Sequence, residues 1–254
     1  MRLRDDLLDA QAAVDWAVAQ IPLFREAFDA WERGSPRPYR LLRERDPETD
    51  GYLVVAIKEA ALPLTFNAWI GAIFNSLRTA LDMVAVALAH RNGERTNPYR
   101  HFPIFDSELD MIDPLHGIDG PERKKWLSDH DRTAIKALKP YKGGNDPLWT
   151  LHKLDIIRKH ERLLLAQLNI DAVLILGNAR MRPFVSTPIA RHDNKTILAR
   201  MSRSEAVPIS EGNTFPTVDI LIDEASLGVD NEQVFPALRR FWLRVNEVVQ
   251  IFND

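Results

Sequence analysis

Two segments of this chain draw a line of charge along an otherwise apolar helical face, and the residue types on those lines suit acid–base or anion-binding chemistry. In Phe66 to Ala89 (FNAWIGAIFNSLRTALDMVAVALA), Asn75, Arg78 and Asp82 fall at i, i+3 and i+7, one stripe of an α-helix. In Pro147 to Leu168 (PLWTLHKLDIIRKHERLLLAQL), His152, Asp155 and Lys159 repeat that spacing, with His160 one position on. An imidazole beside a carboxylate has the elements of a base and its orienter, here His160 with Asp155 or Asp82. Polar groups set among Leu, Ile, Phe and Trp must be paired, or they cost several kcal/mol. Arg78 and Asp82 could pair within their own helix, but arginine first is the weaker orientation. The expected pairing is therefore across helices: Arg78 to Asp155, where a bidentate pair would fix register, and Asp82 to Lys159 or His160. The stripes would then be a buried lock between two helices or the lining of a pocket for an anionic or polar small molecule. The spacing leaves both readings open.

Other chemistries find less support. His152 and His160 lie two turns apart, roughly 12 Å along a helix, and Ile156 holds the i+4 position that a metal pair needs. His101, His116 and His130 each lie in a different segment. No metal site and no cofactor is expected. The chain has no cysteine, which removes disulfides, cysteine-ligated zinc, Fe–S clusters and thiol nucleophiles. Ser76 lacks the strand-turn-helix elbow of a nucleophilic serine. Gly143-Gly144 is too short for a phosphate loop, and neither glycine-rich nucleotide motif occurs. Trp69, Trp126, Trp149 and Trp242 occupy apolar helical positions expected in a core, with Trp149, at the start of the second charged helix, the one that could serve as a ligand platform.

The elements that must position these residues follow from periodicity. Leu7 to Trp31 is an expected helix kinked at Pro22. Tyr39 to Arg45 and Tyr52 to Ile57 form a hairpin about DPETDG. The long helix from Phe66 comes next, then a proline-containing loop from His90 to Gly120 that includes the apolar clip FPIF, Phe102 to Phe105. Pro121 to Leu138 reads as one helix, and the next starts with Asp146 as N-cap and Pro147 at N1. Ala172 to Leu176, Phe184 to Ala190, Thr196 to Met201 and Thr217 to Ile222 read as strands, with a His192 to Asn194 turn joining the middle two. Val234, Leu238, Phe241, Val245, Val248 and Phe252 repeat at 4 and 3, an amphipathic C-terminal helix. The expected class is α+β: a helical bundle packed against a small, mainly antiparallel sheet, with a long C-terminal amphipathic helix. At 254 residues this is a single compact domain, 1–254, with 1–168 mainly helical, 169–230 mainly β and 231–254 the last helix.

A net charge near −3 with 27% charged residues does not support nucleic acid as a partner on electrostatic grounds. The N-terminus MRLRDDLLDAQ lacks the apolar run of a signal peptide. Arg78 and Asp82 would each cost roughly 2.5–3.5 kcal/mol inside a bilayer, so no membrane span is expected and the location is cytoplasmic. The C-terminal 4-3 repeat could pack on the bundle or serve as the seam of a homodimer.

With these residues in view, the chain resembles a family of bacterial proteins of unknown function. That family carries an N-x-L-R-[ST]-A-L-D helix, here Asn75 to Asp82, and an F-P-I-F clip, here Phe102 to Phe105. A segment like L-x-P-Y…P-L-W-x-L-H-x-L-D-x-I-x-K-H follows, here Leu138 to Tyr141 and Pro147 to His160. The likeness spans roughly 66–165 and implies that the two stripes occur as a set, which favours their meeting in space. A more distant resemblance is to the HEPN superfamily of helical domains, many of them RNases using Arg-x4–6-His. Here that pattern is met by Arg95 to His101, with Thr96 after the arginine, where Asn, Asp or His is usual. The leading expectation is a binding or interaction module built on the charged cluster. The alternative is a metal-independent ribonuclease of a defence or toxin system, for which Arg95, His101 and His160 are the candidate catalytic residues.

Overall fold

The structure, a computed structural model, describes residues 2–34, 36–94, 101–175, 184–186, 188–192, 194–203, 214–224, 227 and 229–253. The helices are α1 (Leu8–Glu32), α2 (Leu64–Arg91), α3 (Glu108–Ile112), α4 (Pro121–Lys124), α5 (Asp129–Leu138), α6 (Asp146–His160) and α7 (Val234–Ile251). The strands are β1 (Tyr39–Arg45), β2 (Tyr52–Lys58), β3 (Ala166–Ile175), β4 (Phe184–Ser186), β5 (Ala190–His192), β6 (Lys195–Met201), β7 (Thr214–Glu224) and β8 (Val229–Gln233). The class is α+β, and the chain folds as two compact units, each discontinuous in sequence. The first is Met1–Phe24, Leu64–Leu165 and Asp223–Asp254; the second is Arg25–Pro63 and Ala166–Ile222.

The first unit is helical and holds both charged stripes. Its centre is α2, whose Phe66, Ile70, Ile73, Phe74, Leu77, Leu81, Val84 and Leu88 are all buried, as their helical spacing requires. By length and hydropathy α2 could cross a membrane, but most of its apolar residues are covered by the rest of the unit, as in a core helix. The 4-3 repeat of α7 is equally buried, with Phe241 edge-on to Phe74 at 5.3 Å between ring centroids. That face packs within the first unit.

Three helix boundaries differ from expectation, each for a reason visible in the hydrogen bonds. Pro121 to Leu138 is two helices, because Ser128 starts α5 afresh through a capping box with Asp131. The N-cap of α6 is Asn145, whose side chain accepts from the Leu148 amide, while the Asp146 carboxylate turns back to the Gly143 amide. α6 then stops at His160 instead of running to Leu168. Leu165 exchanges backbone and side-chain hydrogen bonds with Asp223 and Glu224, and Ala166 onward joins a β ladder.

The second unit contains two antiparallel sheets. The hairpin β1–β2 forms as expected, with Arg45 opposite Tyr52, but it belongs with the late strands, since β2 pairs with β6 and β6 with β5. In the other sheet β3 lies between β4 and β7. The apolar faces of the two sheets meet in one core: Tyr39, Val54, Ala56, Leu198, Ala199 and Met201 from the first, Ile170, Val173 and Ile175 from the second.

Candidate functional site

The two stripes do meet, but not through the expected pairs. Asn75 Nδ2 donates to Asp155 Oδ1 at 3.0 Å across α2 and α6. Arg78, 3% exposed, turns along its own helix to Asp82 and spends its other nitrogens elsewhere. Its Nε donates to His152 Nδ1 at 3.3 Å and its Nη2 to the Phe102 carbonyl at 3.2 Å. Asp155, also 3% exposed, is neutralised within α6 by Lys159 Nζ at 2.6 Å. Neither Arg78–Asp155 nor Asp82 with Lys159 or His160 forms. With Asn75 already placed against Asp155, the guanidinium satisfies three acceptors on three segments, which outweighs the unfavourable orientation of its intrahelical pair.

The third segment is the FPIF clip. Phe105 N donates to the Pro140 carbonyl at 2.8 Å and forms a parallel bridge with Tyr141, while Phe102 is buried. That anchoring brings the Phe102 amide to Asp82 Oδ1 at 2.9 Å and sets His101 Nδ1 3.3 Å from Asp82 Oδ2. The clip was legible as an apolar run in a loop; its part in closing the charge network was not.

His152 is held neutral. Its Nδ1 accepts from Arg78, so the ring proton is on Nε2. Burial, then the charges of Arg78 and Lys153, push its pKa down to about 4. Above about pH 6.5 the ring is neutral folded or unfolded. Below that the unfolded chain takes up the proton first, so the protein loses stability as pH falls from about 6.5 to about 4. A pH series of thermal midpoints is expected to fall through this window, and His152→Gln is expected to flatten the fall. An unchanged slope in that variant would refute the assignment.

Around this network opens a cavity of about 300 Å³, the lower end of small-molecule sites. Its polar lining is Arg78, Asp82, His101, Arg123, His152, Asp155, Lys159 and His160, and its apolar wall is Phe102, Pro103, Ile104 and Ile156. Every member of the two stripes except Asn75 reaches it. Lys159, His160 and His101 are exposed, while Arg78 and Asp155 are deep. Arg123 comes from α4 and had no signal in the sequence beyond its place in a basic run. Its guanidinium lies 4.9 Å over the Phe105 ring and its Nη1 donates to the carbonyls of His116 and Gly117.

Other candidates are placed elsewhere. Arg95 lies outside the described residues. His116 and His130 do not line the cavity. Ser76 donates to the Ala13 carbonyl at 2.9 Å. Trp149 is buried, with Nε1 donating to Asp106 at 3.2 Å. Lys153 holds the same carboxylate at 2.6 Å and keeps it below the usual carboxylate range. Among the described residues no three His, Asp or Glu side chains gather as a metal site.

No family model, curated protein or solved structure matches this chain.

Proposed function

We propose that the first unit is a binding module, cytoplasmic, whose cavity beside α2 and α6 takes a small polar molecule. The observation that supports this reading is the division within the charged cluster. Asn75 and Asp155 satisfy each other, Lys159 neutralises Asp155, and the buried Arg78 satisfies Asp82, His152 and the Phe102 carbonyl, as a lock does. His101, Arg123 and His160 line an open volume beside that lock. A rigid, fully satisfied base under a set of accessible polar groups is how a preorganised pocket is built. The test is the histidine ring signals of the full chain by NMR, read against glycine, acetate, glycerol and inorganic phosphate at millimolar concentration. At least one probe is expected to move the His160 and His101 signals together. A panel that moves neither would overturn the reading.

A second reading, metal-independent cleavage of RNA, is favoured by one contact. A carboxylate can only accept, so His101 Nδ1 donates to Asp82 and leaves Nε2, on a ring 71% exposed, as a base. His101 Nε2 would take the proton of a ribose 2′-hydroxyl as that oxygen attacks phosphorus. The departing 5′-oxygen would take a proton from His160 on the same cavity, leaving a 2′,3′-cyclic phosphate. Single-stranded RNA incubated with the protein in EDTA would then be cut, and His101→Ala would stop it. Cleavage that survives the substitution would remove His101 from the role.

A further inference from the structure

We propose that the ligand of this cavity is a phosphate monoester whose phosphate seats on Arg123, an inference that rests on the binding-site reading above. Most charges of the lining are already spent. Arg78 is neutralised by Asp82, and Lys159 by Asp155. Asp82 accepts from Arg78, the Phe102 amide and His101, and Asp155 accepts from Asn75 and Lys159. Neither carboxylate is left over to repel an anion or to hold a second cation. Arg123 is the exception among the lining charges: no carboxylate of the described residues pairs with it.

The way Arg123 is held turns that exception into a seat. Stacking on Phe105 and the two carbonyls on Nη1 fix its plane, yet Nε and Nη2 donate to no described residue. The side chain is half-buried, and burial alone lowers its pKa. A desolvated guanidinium with a free edge is a charge that an oxyanion would stabilise, through bidentate hydrogen bonds. His152 adds a donor and no negative charge, because its Nδ1 is filled by Arg78 and only the N–H at Nε2 remains. Three cations stand against two carboxylates in the lining, so the cavity as a whole favours an anion.

The shape narrows the class further. The polar groups come from four separate segments, α2, 101–104, α4 and α6, an arrangement that suits a tetrahedral anion approached from several sides better than a planar carboxylate. The volume exceeds what a bare phosphate fills. The remaining wall is Pro103, Ile104 and Ile156, apolar surface for the organic group of an ester.

Calorimetric titration of the full chain with phenyl phosphate, inorganic phosphate, benzoate and benzyl alcohol separates these elements. Phenyl phosphate is expected to bind tightest, with inorganic phosphate weaker. Arg123→Met is expected to weaken phenyl phosphate by about tenfold to a hundredfold, the size of a lost charge-assisted pair, and Arg123→Lys by less. Should Arg123→Met fail to fold, Ile156→Glu, which adds a negative charge to the same lining, is expected to abolish binding of phenyl phosphate. Benzoate or benzyl alcohol binding tightest, or phenyl phosphate unaffected by Arg123→Met or by Ile156→Glu, would overturn the phosphate assignment and leave the cavity reading intact. Binding of none of the four would overturn both.

Discussion

Arg78→Met is expected to lower the stability of the first unit by about 3–5 kcal/mol and its thermal midpoint by roughly 10 °C. The methionine fills much of the same volume, so the loss is electrostatic in origin. It strands the Asp82 carboxylate beside the Phe102 amide, removes the donor that His152 Nδ1 faces, and leaves the buried Phe102 carbonyl without its side-chain partner. Arg78→Lys is expected to recover little, because one ammonium cannot reach three acceptors that a planar guanidinium spans. Circular dichroism and tryptophan fluorescence during heating would check both variants. An unchanged midpoint in Arg78→Met would show that the network contributes nothing to the fold.

The second large effect is expected at the passage from α6 to β3. Glu224 is deeply buried, at 1% exposed. Both its oxygens accept from Arg162, each at 2.8 Å, and Oε1 also accepts from the Leu165 amide at 2.9 Å. Arg162→Met leaves that carboxylate buried with one donor, at a cost of about 2–3 kcal/mol. The figure lies at the low end for a broken buried pair because the Arg162 side chain is itself 43% exposed and water can partly replace it. The double variant Arg162→Met/Glu224→Gln is expected to be more stable than Arg162→Met, since it removes the stranded charge. Urea denaturation of the three proteins would measure this, and equal losses in the single and double variants would contradict the pairing.

These two networks mark how far the sequence could be read. Where one periodicity ran uninterrupted, as in α2, α7 and the β1–β2 hairpin, local pattern and tertiary burial agree and the elements lie within three residues of their expected ends. The end of α6 could not be read that way. Leu163, Leu164 and Leu165 suit a helix by composition, and only the partners brought by Asp223 and Glu224, some sixty residues away, make the chain turn into a strand. That the hairpin joins β6 is likewise a long-range pairing with no local signature. The stripes identified the cavity because polar residues on an apolar helical face stand out. Their exact partners did not follow, since spacing places side chains on a face without saying which atom each reaches. Arg123 and the FPIF backbone were beyond reach for the same reason: their role is conferred by a loop that folds back on Pro140 and Tyr141.

The central claim is that one charged cluster has two parts, a structural base and a ligand-facing rim. Thermal unfolding of His160→Ala beside Arg78→Met, near neutral pH, tests it most directly. The account predicts that His160→Ala stays within about 0.5 kcal/mol of the parent or gains stability, as exposed and functional positions do, while Arg78→Met shows the large loss. Comparable losses in both would make the whole cluster a structural lock, and the rim would have no ligand to explain it.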